Sequence, residues 1–180
     1  MDVDVLSLLQ TFQKCPELCS VFDYLRLRQY FELVVLLKPK LATIQSSWKK
    51  GPPPTLPVNI HEFLKQCFSM SDYMGKLAWE HLRCFAWTFS FRDADDVRAA
   101  AIRHVRVFLR YGISLEISVY NLQPPTYVCI DARCTNQLHS NKQSMQDREL
   151  VEPATHAIMI FTKDLGAIPA FSTSRYCRSE

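Results

Sequence analysis

Glycine is scarce in this chain, with four in 180 residues. Phosphate-cradling loops and nucleophile elbows need glycine at fixed offsets, and neither pattern occurs. There is no HExxH pair, and nothing in the sequence assembles a nucleophile, a base and an oxyanion donor. The reading is of a non-catalytic protein, with no small-molecule substrate indicated. Long apolar runs are also missing. None is longer than Leu33-Val34-Val35-Leu36-Leu37, far short of the roughly 18–20 residues that cross a bilayer. The first residues, MDVDVLSLLQ, carry acidic side chains where a secretory leader carries basic ones. These absences point to an intracellular protein without a membrane partner. Charge of one sign is not in excess either: 21 Lys and Arg face 18 Asp and Glu, for a net charge of +3. That balance permits nucleic-acid contact without requiring it.

What is present suits a globular α+β protein. Apolar residues make up 48% and aromatics 12%, enough surface to offset the entropy of ordering. The first part, residues 1–112, reads as helical. Val5, Leu6, Leu9 and Phe12 mark a first helix, and a second runs from Pro16 to Leu37. Pro39 is expected to interrupt it, with a short helical piece continuing to Trp48. The run Gly51-Pro52-Pro53-Pro54 with Pro57 is a surface connection. Asn59 with Glu62 has the spacing of a capping box. Ser71 opens a helix whose apolar face is Met74, Leu77, Ala78, Leu82, Phe85 and Ala86. Trp79 and Trp87 on that helix suggest packing against a neighbour. Asp93 caps a helix to Arg110, closed by Gly112. Val97, Ala101, Val105 and Phe108 should face the core, extended by Ile102 and Leu109.

Residues 113–180 change character. Ile113, Leu115, Ile117 and Val119 alternate with polar residues, as in a half-buried strand. His156 to Phe161 reads as a buried strand, Lys163-Asp164-Leu165-Gly166 as a turn, and Ala167 to Cys177 as a return strand broken at Pro169. The predicted architecture is therefore a helical N-terminal region followed by a small β-rich, zinc-ribbon-like cysteine cluster.

Seven cysteines in a reducing compartment are better read as buried thiols or metal ligands than as disulfides. Cys129 and Cys134 are separated by four residues, and Cys177 follows the predicted hairpin. Tetrahedral zinc takes two close pairs of ligands from two turns, so this is three-quarters of a site. His139 is the nearest substitute for a fourth ligand; His156, at the head of an apolar strand, suits a structural histidine better. The bland alternative is that all three cysteines are small semi-apolar residues of a β-rich segment.

The residues around these cysteines resemble a known family. LQPPTYVCIDARC and LVEPATHAIMIFTKDLGAIPAFSTSRYCR are similar to the cysteine-cluster domain fused to KDZ (Kyakuja-Dileera-Zisupton) transposases of fungal genomes. The specific elements are Pro124-Pro125-Thr126 before the CxxxxC pair, Phe161-Thr162, the Asp164-Leu165-Gly166 turn and Ser174-Arg175-Tyr176-Cys177-Arg178. In that family the last element reads YCRxCxTRY. The likeness spans residues 122–178. It implies zinc held by Cys129, Cys134 and Cys177. The family's fourth cysteine falls at Glu180, which implies a copy cut short, its site completed by water, by Glu180 or by a second chain. The implied role is a nuclear, non-catalytic accessory region of a mobile element that contacts DNA or chromatin, or a transposase catalytic domain. A zinc-stabilised protein-interaction module and a non-functional relic are the alternatives.

Arg103, Arg106 and Arg110 fall within about 60° of arc on one predicted helix, beside Arg98 and His104. Such an edge could meet DNA phosphates, or be a solvated helix face. Cys15 and Cys19 lie at a predicted helix start, and Cys67 and Cys84 on apolar helical stretches, where packing is expected. Asp93, Asp95 and Asp96 could suggest a metal-dependent nuclease, but negative charge at a helix start explains them.

Overall fold

The computed structural model describes residues 4–44, 51–126, 128–130 and 150–177. Among these residues five helices are followed by a three-stranded mixed sheet, an α+β architecture. Helix α1 spans Val5–Lys14 and is capped by Asp4, whose carboxylate accepts from the Leu6 amide at 3.1 Å. Its Leu8 and Phe12 pack on the core, while Val5, Leu6 and Leu9 stay exposed. A 3₁₀ turn, Pro16–Ser20, leads to α2, Tyr24–Ile44.

Helix α2 is the axis of the molecule. Tyr30, Phe31, Leu33, Val34, Leu36, Leu37 and Leu41 are all buried, as expected of a helix enclosed by others. The expected interruption at Pro39 does not occur, because the helix runs through it to Ile44. A proline inside a helix costs about 3 kcal/mol. Burial of Leu36, Leu37 and Leu41 around it stabilises by more, at about 1.5–3 kcal/mol per side chain.

Helix α3, Val58–Phe68, is entered through Pro57, and Asn59 is not its cap. The Asn59 amide instead donates to the Leu115 carbonyl at 3.1 Å, tying α3 to the end of the helical region. The helix closes on Ser69 in the left-handed region at φ 52°, with the Met70 amide reaching back to the Lys65 carbonyl. Helix α4, Asp72–Thr88, is capped by Ser71 as the sequence indicated, and buries Gly75, Ala78, Trp79, Leu82 and Ala86. The Trp79 indole donates to the Pro53 carbonyl at 3.0 Å, pinning the proline-rich connection. Trp87 is partly buried, with the Lys38 ammonium 5.6 Å from its ring centre.

Helix α5, Ala94–Val107, is capped by Asp93, which accepts from the Asp96 amide at 2.9 Å. Its buried face is Ala100, Ala101 and His104, continued by Phe108 in the π turn Phe108–Gly112. Val97, Ile102 and Leu109, expected at or beside the core, are each at least 40% exposed. Two small residues let α5 lie close against α2, and that proximity selects the Ala100 face over the bulkier one.

The expected strand over Ile113–Val119 is not formed. Ile113–Leu115 is a 3₁₀ turn, Glu116 is left-handed at φ 57°, and the Ile117 amide returns to the Gly112 carbonyl at 2.9 Å. The alternation of apolar residues reports burial: Ile117 and Val119 sit in the helical core. Gly112 makes the reversal possible, since a Cβ there would stand 2.4 Å from the Ile117 carbonyl oxygen.

The sheet has the order β1-β3-β2, with β1 Asn121–Leu122, β2 Val151–Thr162 and β3 Gly166–Tyr176. β2 and β3 form an antiparallel hairpin, turning at Gly166 with φ 66°. β1 runs parallel to β3, Asn121 opposite Phe171 and Leu122 opposite Ser172. Pro169 does not break β3 and lies opposite Met159. Among the described residues β2 is an outer strand and not the buried one expected: Met159 is 56% and Phe161 83% exposed. Several contacts among the described residues tie the sheet to the helical body, the Gln123 side-chain amide donating to the Pro39 carbonyl among them. Ser118 Oγ donates to the Pro169 carbonyl at 2.5 Å, and the Phe171 amide to the Tyr120 carbonyl at 3.3 Å. Arg98 grips Asp164 through two nitrogens at 2.5 and 2.6 Å. The Lys40 ammonium lies 5.6 Å from the Phe171 ring centre. No helix among the described residues is long and apolar enough to cross a membrane.

Candidate functional site

The topology of the sheet decides where the cysteines come. β1 and β3 run in the same direction, so Cys129, beyond Leu122, and Cys177, beyond Ser172, leave the sheet from the same end. β2 enters at that end too, since Val151 pairs with Tyr176, and Arg175 donates to the Leu150 carbonyl at 3.2 Å. Cys129 is buried and Cys177 half-buried. Cys134 and His139 lie outside the described residues. His156 is exposed on the outer strand, away from the buried structural role expected of it.

Two thiols on segments that leave a small sheet at one end, with a third five positions after the first in sequence, are a donor set that suits zinc. The residues that would hold it are Cys129, Cys134 and Cys177. Bound there, zinc would supply structure, cross-linking the lead-in from β1, the segment before β2 and the exit from β3. Among the described residues no three His, Cys, Asp or Glu side chains come together.

The other cysteines have different surroundings. Burial pushes the Cys67 thiol up to about 12, and burial with the nearby Glu17 raises Cys15. Such thiols are inert at neutral pH. Cys84, expected in the core, is exposed, as is Cys19.

The basic edge is only partly available. Arg103 is turned onto Glu32, with Nε and Nη2 each 3.3 Å from its carboxylate oxygens. Arg106 and Arg110 are exposed, Arg110 lying 5.1 Å from the centre of the Tyr111 ring. Arg98 is held by Asp164. His104 is buried, not beside the edge, with Nε2 2.7 Å from Glu32 Oε2. Asp93 is used as a cap and Asp96 pairs with Arg92 at 3.1 Å, so these carboxylates serve the start of α5.

Glu32 is the feature that sequence reasoning missed. Its side chain is 4% exposed and meets Arg28 at 2.9 Å as well as Arg103 and His104. Burial alone raises its pKa. Hydrogen bonds from His104 and Arg28, with the charge of Arg103, more than offset this and hold it below the ordinary value of 4.5. A signal was available: Glu32 is the one charge between Arg28 and Lys38. A carboxylate in an apolar helix run needs partners. A fully satisfied carboxylate of this kind joins α2 to α5 and leaves no lone pair directed at a substrate.

Besides a shallow groove over Glu32, Arg103 and His104, two others open on the helical body. One, of about 460 Å³, lies between α1, α2 and the residues before α5, with Phe31, Phe89 and Phe91 in its wall and Arg28, Arg92 and Arg103 around it. The other, of about 600 Å³, lies beside Trp79, where His61 Nε2 is 3.0 Å from Asp72. Neither brings a nucleophile to a base. No family model, no curated protein and no solved structure matches the chain.

Proposed function

We propose that this chain is a non-catalytic accessory region of a KDZ-type transposase, in which a helical body carries a zinc-stabilised cysteine cluster that contacts DNA or chromatin. The observation that carries this reading is the common exit of Cys129 and Cys177 from one end of the sheet, in a sequence context that resembles that family. The zinc step comes first. Purified under reducing conditions, the protein should hold about one zinc per chain. Single Ser substitutions of Cys129, Cys134 and Cys177 should each lower the zinc content. A metal-free wild type, or zinc indifferent to all three substitutions, overturns the reading.

DNA contact is tested separately. Arg106 and Arg110 are exposed and, among the described residues, stand outside the ion pairs that hold Arg98 and Arg103. Arg106→Ala and Arg110→Ala should weaken binding to any sequence alike, each lowering the salt slope by about 1. Absence of binding at low salt, with zinc present, would favour the second reading, a zinc-stabilised protein-interaction module. That alternative has its own support in the uncovered apolar side chains of β2 and in the engagement of Arg103 by Glu32.

A further inference from the structure

β2 is the outer strand of the sheet, and among the described residues no strand pairs with its outer edge. Soluble proteins guard such edges with charged residues, prolines or bulges, because a row of unpaired amides and carbonyls recruits another strand. From Ala154 to Thr162 (ATHAIMIFT) this edge has no Lys, Arg, Asp, Glu or Pro. The bulge between Val151 and Ala154 ends the regular segment on one side, and the turn after Thr162 ends it on the other. Thr155, Ala157, Met159 and Phe161 share one face, and all four are exposed. The hairpin is held in place, since Arg98 clasps Asp164 in its turn.

The order of sizes on that face identifies the occupant. Two small residues, Thr155 and Ala157, are followed by two large ones, Met159 and Phe161. Antiparallel pairing of the segment with itself about Ile158 sets Ala154 opposite Thr162, Thr155 opposite Phe161, His156 opposite Ile160 and Ala157 opposite Met159. Each large side chain then meets a small one, and the whole regular segment is used. A two-fold axis normal to the sheet keeps the apolar faces on the same side. Most edge strands would oppose like charges in such a pairing; this one has none to oppose.

We propose that β2 pairs antiparallel with β2 of a second copy of this chain, joining two three-stranded sheets into one of six. The inference is independent of zinc and of nucleic acid. Sedimentation equilibrium of the purified full chain should show a reversible dimer. Phe161→Lys and Met159→Lys should each raise its dissociation constant by at least about tenfold, with helical circular dichroism unchanged because both side chains already face solvent. Ile158→Cys, at the two-fold axis, should give a disulfide-linked dimer with oxidised glutathione beyond any formed by wild type. Ala154→Cys, opposite Thr162, should not. A monomer at all concentrations overturns the proposal, including one whose β2 amides are protected from exchange by cover from within the chain. So does a dimer indifferent to both lysine substitutions.

Discussion

The helical body and the sheet are held together by different forces. The buried apolar cluster runs from Cys15 to Val119, with every member in the helices and their connections. Its aromatic centre is dense: Phe63 and Phe108 rings lie 4.9 Å apart, and Phe22, Tyr30 and Phe68 form a triangle of 5.2 to 5.6 Å. The sheet has Ile168, Ala170 and Phe171 buried along β3, while β2 leaves its largest side chains in solvent. Its order rests on a backbone ladder and on its ties to the helical body, and the zinc proposed above would add a further staple. A two-stranded hairpin with one short parallel addition is marginal by itself. The body can stand on its own core, and the sheet cannot.

That contrast orders the effects of substitution. Phe108→Ala removes a ring that is 1% exposed, and should cost about 3–5 kcal/mol in urea unfolding. Glu32→Gln comes next, at about 1–3 kcal/mol, because it weakens charge-assisted bonds from Arg28, Arg103 and His104. The pH dependence has a definite sign. The folded pKa of Glu32 is lowered, so its contribution is present above 4.5 and is lost as pH falls through the folded value. Stability measured from pH 6 downward should therefore fall below about 4.5, and fall less steeply in Glu32→Gln. Gly112→Ala forces a Cβ against the Ile117 carbonyl and should cost a similar 1–3 kcal/mol, roughly. Asp93→Ala removes the α5 cap, for about 1 kcal/mol. At the bottom of the scale, Phe161→Lys should change thermal stability by less than about 0.5 kcal/mol in dilute solution. A large loss there would mean that the outer strand shares the core after all, and the contrast would fail.

Much of the helical body was legible because its caps are local chemistry. Ser71 and Asp93 accept from the amide three residues on, as their spacing says they should. Asn59 shows the limit: the same residue type, with Glu62 in the right place, is drawn to the Leu115 carbonyl by a tertiary contact. Pro39 shows the opposite case, a local breaker overridden by burial on both sides. The Ile113–Val119 alternation was misleading because a two-residue period marks burial on one face of an extended chain, and two buried residues after a glycine-enabled reversal give the same pattern. The apolar run of β2 suggested a buried strand, whereas its position depends on strand order, which sequence periodicity does not encode.

Of the candidate site, the sequence offers residue types and spacing but not placement. Cys129 and Cys177 stood out in the sequence, and only the parallel pairing of β1 with β3 shows that the segments leading to them leave the sheet in the same direction. Glu32 was hidden because its partners are Arg28 four residues away and a pair, Arg103 and His104, some seventy residues away. An arginine judged by its own helix looks like part of a basic edge. Judged with α2 in place, Arg103 is a cation partly committed to a buried carboxylate.

Amide hydrogen exchange with and without a zinc chelator tests the contrast most directly. The account predicts that chelation strips protection from β2 and β3 while amides of α2, α3 and α4 keep theirs, and that Cys129→Ser reproduces the chelated pattern. Loss of protection across the helices to the same degree, or a sheet indifferent to chelator, would contradict it.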